Sequence, residues 1–437
     1  MKSKDQKYPK SLIEEACSIL RLNDRGGYTV PTERLYPYQW NWDSAICALG
    51  WHHFDKARAW NEIRMLLKGQ WDNGMLPHII FHQDSPDYFP NADVWNVPET
   101  CFQEGVEHPQ TSGISQPPVL ATCVRKLWEA DKEPAIESSE LKQICIKILN
   151  WHRWYWSARD PENMGMVSIL HPWESGMDNS PAWDKSLVSV PSTQNSSYKR
   201  QDITLIDANQ RPLKKEYDRY LYLVEKLRDE KYDSTNIFQD FPFRVIDVGL
   251  NSILHRANLD LLALFDQFGM LSESLELKKR IELTCKAFDK LWDEQHEHYY
   301  NRDEISGELI RIPTSACFLP LFGQLASDKQ AQKIISTLEE WMKQEFLLVP
   351  STSPFDPNYE SQRYWRGPIW PHVNWMICEG LKNYDRHDLS QIIRTQTLEL
   401  ISKLGFHEYY HPLGELGLGG ESFSWTAAVY LIWSKAG

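Results

Sequence analysis

Two carboxylates stand four residues apart in the run His171-Pro172-Trp173-Glu174-Ser175-Gly176-Met177-Asp178-Asn179-Ser180-Pro181, where two prolines and a glycine break any helix. A carboxylic acid beside an apolar ring such as Trp173 can keep its proton near neutral pH, which is what a general acid needs. Without chemistry, the same run reads as a loop stapled by Asx turns. A third carboxylate, Glu408, lies in Phe406-His407-Glu408-Tyr409-Tyr410-His411-Pro412. Hydrolysing an acetal calls for one acid to protonate the leaving oxygen and a second carboxylate as base or nucleophile. Asp178 and Glu408, each in a segment rich in Trp, Tyr and Gly, make the best such pair.

Two further clusters surround this chemistry with aromatic rings. Tyr36-Pro37-Tyr38-Gln39-Trp40-Asn41-Trp42-Asp43 alternates rings with amide and carboxyl groups, and Tyr364-Trp365-Arg366-Gly367-Pro368-Ile369-Trp370-Pro371 leads into a helix start. A sugar offers an apolar face for Trp and Tyr and a rim of hydroxyls for Asp, Asn and Gln. The competing reading is an aromatic core corner with Asp43 as a helix cap, and composition leaves both open. His407-Glu408-Tyr409-Tyr410-His411 also matches the H-E-x-x-H zinc pattern. That pattern works on a helix, where the two histidines share a face. Gly405 before it, Pro412 after it and the glycines that follow argue against a helix, so no metal is expected.

Helices must position these segments. Apolar residues recur at helical period over 10–21, 43–54, 56–68, 117–130, 137–157, 213–230, 250–268, 272–295, 315–326, 328–345, 368–384, 386–404 and 423–435. Extended runs are few and short, His298-Tyr299-Tyr300 being one. Helices arrive in pairs with short breaks at Asp55, Gly269, Asp328 and 385–388, without the fixed repeat of a superhelical array. The expectation is an all-α fold, a closed ring of helical hairpins in which twelve helices make six hairpins and one is left over. Long irregular stretches near 72–115, 158–210, 230–248, 346–367 and 405–422 would gather at one end and build the site. Trp-Asp pairs at 42, 71, 183 and 292 are too unevenly spaced for a propeller.

Composition excludes other classes. Of 437 residues, 47 are Lys or Arg and 60 are Asp or Glu, a net charge of −13, so nucleic acid and anionic lipid would be repelled. No apolar stretch approaches the roughly 18 residues that span a bilayer, and the N-terminus is polar, with no leader-like apolar core. The eight cysteines are scattered without a CxxC and read as buried free thiols of a reducing compartment. Asn195-Ser196-Ser197 fits a glycosylation acceptor by coincidence. Tryptophan, at 19, outnumbers phenylalanine at 16, and many of the tryptophans fall in the loop segments above rather than in helices.

HPWESGMDNSPAWD (171–184), YWRGPIW (364–370), EYYHP (408–412) and FSWTAA (423–428), with YQWNWDS (38–44) and SQPP (115–118), resemble glycoside hydrolase family 63 and within it the short glucosylglycerate and mannosylglycerate hydrolases. The resemblance covers nearly the whole chain. It implies an (α/α)6 barrel over 1–437 as one catalytic domain, and an inverting mechanism with Asp178 as general acid and Glu408 as general base. Inversion leaves room for a water, with the carboxyls roughly 6.5–9.5 Å apart. It further implies that Tyr36, Trp40, Trp42, Asp43, Gln116, Tyr364, Trp365 and Trp370 line the sugar subsite and that Gly176 offers it backbone. For a glycerate carboxylate Arg211 is the candidate cation, helped by Tyr217, with Arg219 the rival. Glu421 competes with Glu408 for the base, the E-Y-Y context favouring Glu408; Glu421 would then bind a hydroxyl or hold the loop. Glu174 is read as a structural partner.

The reading is a cytoplasmic α-glycosidase acting on glucosylglycerate or mannosylglycerate, a small-molecule substrate, with no cofactor, no nucleic-acid or membrane partner, and a homo-oligomer left open. The alternatives are an α-glucosidase for a neutral disaccharide or oligosaccharide, and an inactive sugar-binding protein.

Overall fold

The computed structural model describes residues 10–434 except 84–87, 132, 134, 196 and 344–347, and gives only backbone at 10, 235 and 236. Ser196 of the acceptor-like triplet, residues 1–9 of the N-terminal segment and 435 at the end of the last helix read from the sequence therefore lie outside the described residues, as do 84–87 and 344–347, which fall in or beside two of the long loops.

Among the described residues there are thirteen principal helices: α1 (Lys10–Leu22), α2 (Asn41–Trp51), α3 (Lys56–Leu67), α4 (Leu120–Glu129), α5 (Ser138–Ala158), α6 (Lys214–Asp229), α7 (Val248–Phe268), α8 (Leu271–Phe288), α9 (Leu319–Gly323), α10 (Asp328–Met342), α11 (Pro371–Lys382), α12 (His387–Leu404) and α13 (Ser424–Ser434). Their ends follow from local chemistry. The Asp55 carboxylate accepts from the Arg58 N–H at 2.9 Å at the start of α3. Glu216 reaches back to the Leu213 N–H at 2.7 Å at the start of α6. Gly269, at φ +67°, closes α7 in the left-handed region.

The helices close a ring. Going round it, α2 packs on α4, α4 on α7, α7 on α9, α9 on α11, α11 on α13, and α13 back on α2. Outside them, α1 lies on α13 and α2, α3 on α2, α5 on α7 and α4, α8 on α7, and α12 on α11 and α13, while α10 meets the turn 315–318 that enters α9. Inner and outer helices alternate along the chain. The exception is α6, the helix left over in the sequence count, which packs instead on the short turn Ala92–Trp95. This is the (α/α)6 barrel.

Two helices are shorter than their periodicity suggests. The run 315–326 is a 3-10 turn, Ser315–Phe318, followed by five helical residues that end at Gln324 in the left-handed region. The run 272–295 stops at Phe288, because Trp292–Asp293 pairs with His298–Tyr299 as a small hairpin. The long loops also carry more strand than expected. Beside the site, β1 (Gln39–Trp40) pairs with β2 (Ile79–Phe81), which pairs with β3 (Gln110–Thr111), all antiparallel. The stretch 405–422, expected as loop, is a hairpin of β4 (His407–Tyr410) and β5 (Gly417–Glu421).

No helix among the described residues is long and apolar enough to cross a membrane. All eight cysteines are free; Cys285 is exposed, Cys101 half-buried and the other six buried.

The ring demands close approach of backbones. A Cβ on Gly380 of α11 would lie 2.6 Å from the Phe322 nitrogen of α9. Replacing glycine by alanine inside a helix ordinarily stabilises by up to about 1 kcal/mol. Here the sign should reverse: Gly380→Ala is expected to cost about 1–3 kcal/mol through overpacking. Thermal or denaturant unfolding checks this, and an unchanged or raised Tm would contradict the packing.

Candidate active site

A cavity of about 910 Å³, counting its open mouth, is walled by segments from across the chain, and twelve of the residues singled out in the sequence line it. They are Tyr36, Trp40, Trp42, Asp43, Gln116, Gly176, Asp178, Arg211, Tyr217, Tyr364, Trp365 and Glu408. Each arrives on a different support. β1 carries Trp40 into the first turn of α2, which holds Trp42 and Asp43. Gln116 precedes α4 and its Oε1 accepts from the Trp42 N–H at 3.3 Å. Tyr217 lies on α6, with its ring under the guanidinium of Arg200 at 4.2 Å.

Asp178 sits in a loop pinned at several points. Gly176 turns at φ +72°, and a Cβ there would lie 2.6 Å from the Trp42 ring, so the backbone touches the indole directly. The Trp183 indole donates to the Met177 carbonyl at 2.7 Å and the Tyr220 hydroxyl to the Asp178 carbonyl at 3.0 Å. Asn179 Oδ1 accepts the Trp365 N–H at 3.0 Å, tying the loop to 364–370. Glu174 is buried and paired in two-point fashion with Arg159, at 3.1 and 2.7 Å, and accepts the Leu170 N–H at 2.7 Å. Its oxygens are spent on holding the loop.

Glu408 stands on β4 and is 1% exposed. Between the pairs His407↔Glu421 and Tyr409↔Leu418 the β5 strand takes one extra residue, a bulge opposite Glu408 that re-aims its side chain. The Gly420 N–H donates to Glu408 Oε2 at 3.0 Å and the Tyr36 hydroxyl to Oε1 at 3.0 Å. Arg211 Nη1 lies 3.7 Å from Oε2, and Arg211 Nη2 donates to the Tyr36 hydroxyl at 2.6 Å. The Tyr36 and Tyr364 hydroxyls are 3.2 Å apart, and the Tyr364 ring lies 4.2 Å beneath the Arg211 guanidinium.

These surroundings shift the carboxyls upward. Burial raises Asp178 to about 8; Arg211 opposes this, and Glu408 and Asp202 reinforce it. Burial also raises Glu408, against Arg211, the Gly420 N–H and the two tyrosine hydroxyls. Asp43, buried with Glu408 and Asp178 close by, is pushed far up. One group in the cavity is therefore poised to hold a proton at neutral pH, and another, braced by a cation and three hydrogen-bond donors, to accept one.

Two sequence assignments need correction. Trp370 is not a cavity wall: it stacks flat behind Trp365 at 3.7 Å and 2°, and against Tyr409 at 4.5 Å, one layer below. Glu421 is exposed, because burial alternates along β5 and its position falls on the outer face. It therefore neither lines the cavity nor rivals Glu408. Arg219 points away too, its guanidinium 3.5 Å from the Val188 carbonyl. The H-E-x-x-H run is strand and turn rather than helix: His407 meets the Leu404 carbonyl at 3.1 Å, and His411 lies beside Glu415. Among the described residues no group of three His, Cys, Asp or Glu side chains is placed to hold a metal.

Sequence reasoning missed His78, Tyr88, Gln201 and Asp202, which also face the cavity. They come from segments without a repeated pattern, and only Asp202, in an Arg-Gln-Asp run before Arg211, carries a charge that could have drawn notice.

Comparison with known proteins follows the same lines. A family model described as the mannosylglycerate hydrolase MGH1-like glycoside hydrolase domain matches residues 36–426. Mannosylglycerate hydrolase MGH1 of Selaginella moellendorffii is 45% identical over 425 residues, 97% of this chain and 86% of its own. Glucosylglycerate hydrolase of Mycolicibacterium hassiacum is 32% identical over 441 residues, 97% of this chain and 98% of its own. The crystal structure of the GH63 mannosylglycerate hydrolase from Thermus thermophilus in complex with Tris and D-glycerate superposes with a TM-score of 0.91 at 44% identity, covering 97% of this chain and 100% of that one.

The bulge gives a sharp test. Gly419 has φ +70°, and a Cβ there would overlap Glu408 Oε2. Gly419→Ala should push the carboxylate off its donors and lower kcat roughly 10–100-fold, the scale of an ångström misplacement at a reacting group. The helical circular dichroism should stay native. A native kcat in a folded variant would show that Glu408 needs no such placement.

Proposed function

The chain belongs to glycoside hydrolase family 63, with the mannosylglycerate hydrolases, and from that premise we propose that it hydrolyses mannosylglycerate or glucosylglycerate to hexose and glycerate, inverting the anomeric carbon. The observation that carries this reading is the cation beside the acid–base pair. Arg211 lines the same aromatic-walled cavity as Asp178 and Glu408, with its Nη1 3.7 Å from Glu408. A carboxylate-bearing aglycone is the ligand such a cation suits, because a guanidinium matches a carboxylate in two-point geometry.

In this mechanism the hexose packs against Trp40, Trp42 and Trp365, with hydroxyls to Asp43 and Gln116. Asp178 is the general acid: it gives its proton to the glycosidic oxygen as the bond to the anomeric carbon breaks. Glu408 is the general base: it takes a proton from the water that attacks the opposite face. The departing alcohol is glycerate. The curated relatives named for mannosylglycerate and for glucosylglycerate differ in the hexose and share the glycerate, which supports placing selectivity at the aglycone end. The whole of 1–437 is proposed to work as one catalytic domain, in the cytoplasm, where such small charged solutes are held.

Three measurements test the proposal. Asp178→Asn and Glu408→Gln should each lower kcat roughly 10²–10⁴-fold, the usual worth of a general acid or base; a near-native rate in either removes that assignment. Proton NMR should detect the β-hexose first from an α-glycoside, whereas first release of the α-anomer would refute inversion. The pH profile of kcat/KM should be a bell. Asp178 must be protonated to act, so the rate falls as pH rises through about 8. Glu408 must be ionised, and its pKa is raised by burial, so the acid limb lies above the ordinary carboxylate range of about 4.3.

A further inference from the structure

A guanidinium on a long side chain makes two-point contact with a carboxylate only if its plane is held. Arg211 follows the short turns Asp202–Leu205 and Ala208–Gln210 and precedes α6, in a stretch without long regular structure. Three groups fix it. Tyr36 takes Nη2 at 2.6 Å, the Tyr364 ring covers its face at 4.2 Å, and Asp202 Oδ2 takes Nε at 3.2 Å. Asp202 is itself gripped by Arg200 at 2.9 and 2.5 Å, and Arg200 Nη1 donates to the carbonyl of Pro212, the next residue after Arg211, at 2.7 Å. The contacts therefore close a loop from Arg211 through Asp202 and Arg200 back to the backbone beside Arg211. Burial pushes Asp202 upward, but Arg200 and Arg211 outweigh it and hold the group below its ordinary value, a carboxylate. Tyr36 and Tyr364 bear on Glu408 as well; Asp202 alone among the three grips Arg211 from the edge away from it.

We propose that Asp202 is a positioning residue for recognition of the acidic aglycone: it locks Arg211 by its Nε edge and so fixes the guanidinium that meets the substrate carboxylate in the cavity. The proposal rests on the reading of the aglycone as glycerate. In this role Asp202 acts on selectivity through Arg211.

Asp202→Asn and Asp202→Ala test it, assayed on mannosylglycerate, on glucosylglycerate and on the matching glycosylglycerols, which lack the carboxylate. Loss of a hydrogen bond to a charged group corresponds to roughly 10–100-fold, and this should fall on KM for the glycerate substrates with much less change in kcat. The preference for glycerate over glycerol substrates should shrink accordingly, and Asp202→Glu should recover part of it. A merely structural role would weaken both substrate types alike, and that result, or an unchanged KM in a variant of native Tm, overturns the proposal. Wild-type enzyme and Arg211→Ala separate this from the reading beneath it. If wild type shows no preference for glycerate substrates, the aglycone assignment fails. If wild type shows one that Arg211→Ala abolishes and Asp202→Ala keeps, only the role of Asp202 fails.

Discussion

Three carboxyl groups, those of Asp43, Asp178 and Glu408, share one cavity with the guanidinium of Arg211, and that cation is what keeps their burial from driving all three to the neutral form. Removing a carboxylate from water is expensive unless a partner charge and hydrogen bonds replace the solvent. Glu408 has both: Arg211 at 3.7 Å, the Gly420 N–H and the Tyr36 hydroxyl. Asp178 and Asp43 have less, and their pKa values rise accordingly. A single cation set asymmetrically among three acids thus separates a proton holder from a proton acceptor without any change of residue type.

The barrel exists, in this respect, to hold that asymmetry still. Asp43 stands on the first turn of an inner helix, Glu408 on a bulged hairpin, Asp178 in a loop pinned by indole and amide bonds, and Arg211 ahead of α6, the helix that breaks the inner–outer alternation. None of these supports is continuous with another. They are kept in register by side chains that cross between loops, such as Asn179 to Trp365 and Arg366 to Asp184, the latter at 3.0 and 2.7 Å. The layered rings of Trp365, Trp370 and Tyr409 give the cavity a floor too dense to sag. The site carries strain of an electrostatic kind, and the scaffold offsets it by packing.

The ring was legible in the sequence because apolar residues recur at helical period in inner and outer helices alike, so every helical segment read from periodicity has a counterpart. Lengths failed where a short tertiary pairing intervened, as when Trp292–Asp293 left the helix to pair with His298–Tyr299. The hairpin 407–421 was read as loop because its second strand is nearly all glycine and leucine, which carries no alternation to detect. The motifs placed the reactive residues together, but motif membership does not fix the direction of a side chain. Trp370 and Glu421 belong to the right segments and face the wrong way, one sealed behind another indole and the other turned to solvent by strand alternation. Asp202 went unnoticed for the opposite reason: its partner Arg211 is near in sequence, but the contact that gives it meaning, Arg211 to Tyr36, spans the chain.

The same geometry bears on how such a site would choose among substrates. Aromatic walls accept any pyranose face, and inverting one hydroxyl changes contacts worth a few hydrogen bonds at most. The guanidinium of Arg211 is a harsher judge. A neutral aglycone brings it no acceptor, and a site built to bind a polar group rejects the analogue lacking it far more strongly than an apolar pocket rejects a change of shape. Under the proposed function, discrimination in this cavity is therefore steep at the end where Arg211 and Asp202 stand and shallow at the end where the tryptophans stand. Under the proposed function the group that makes the carboxyl burial tolerable also reads the substrate's charge, so acid–base tuning and selectivity meet at one side chain, and a group that acts on its far edge, as Asp202 does, is what separates them.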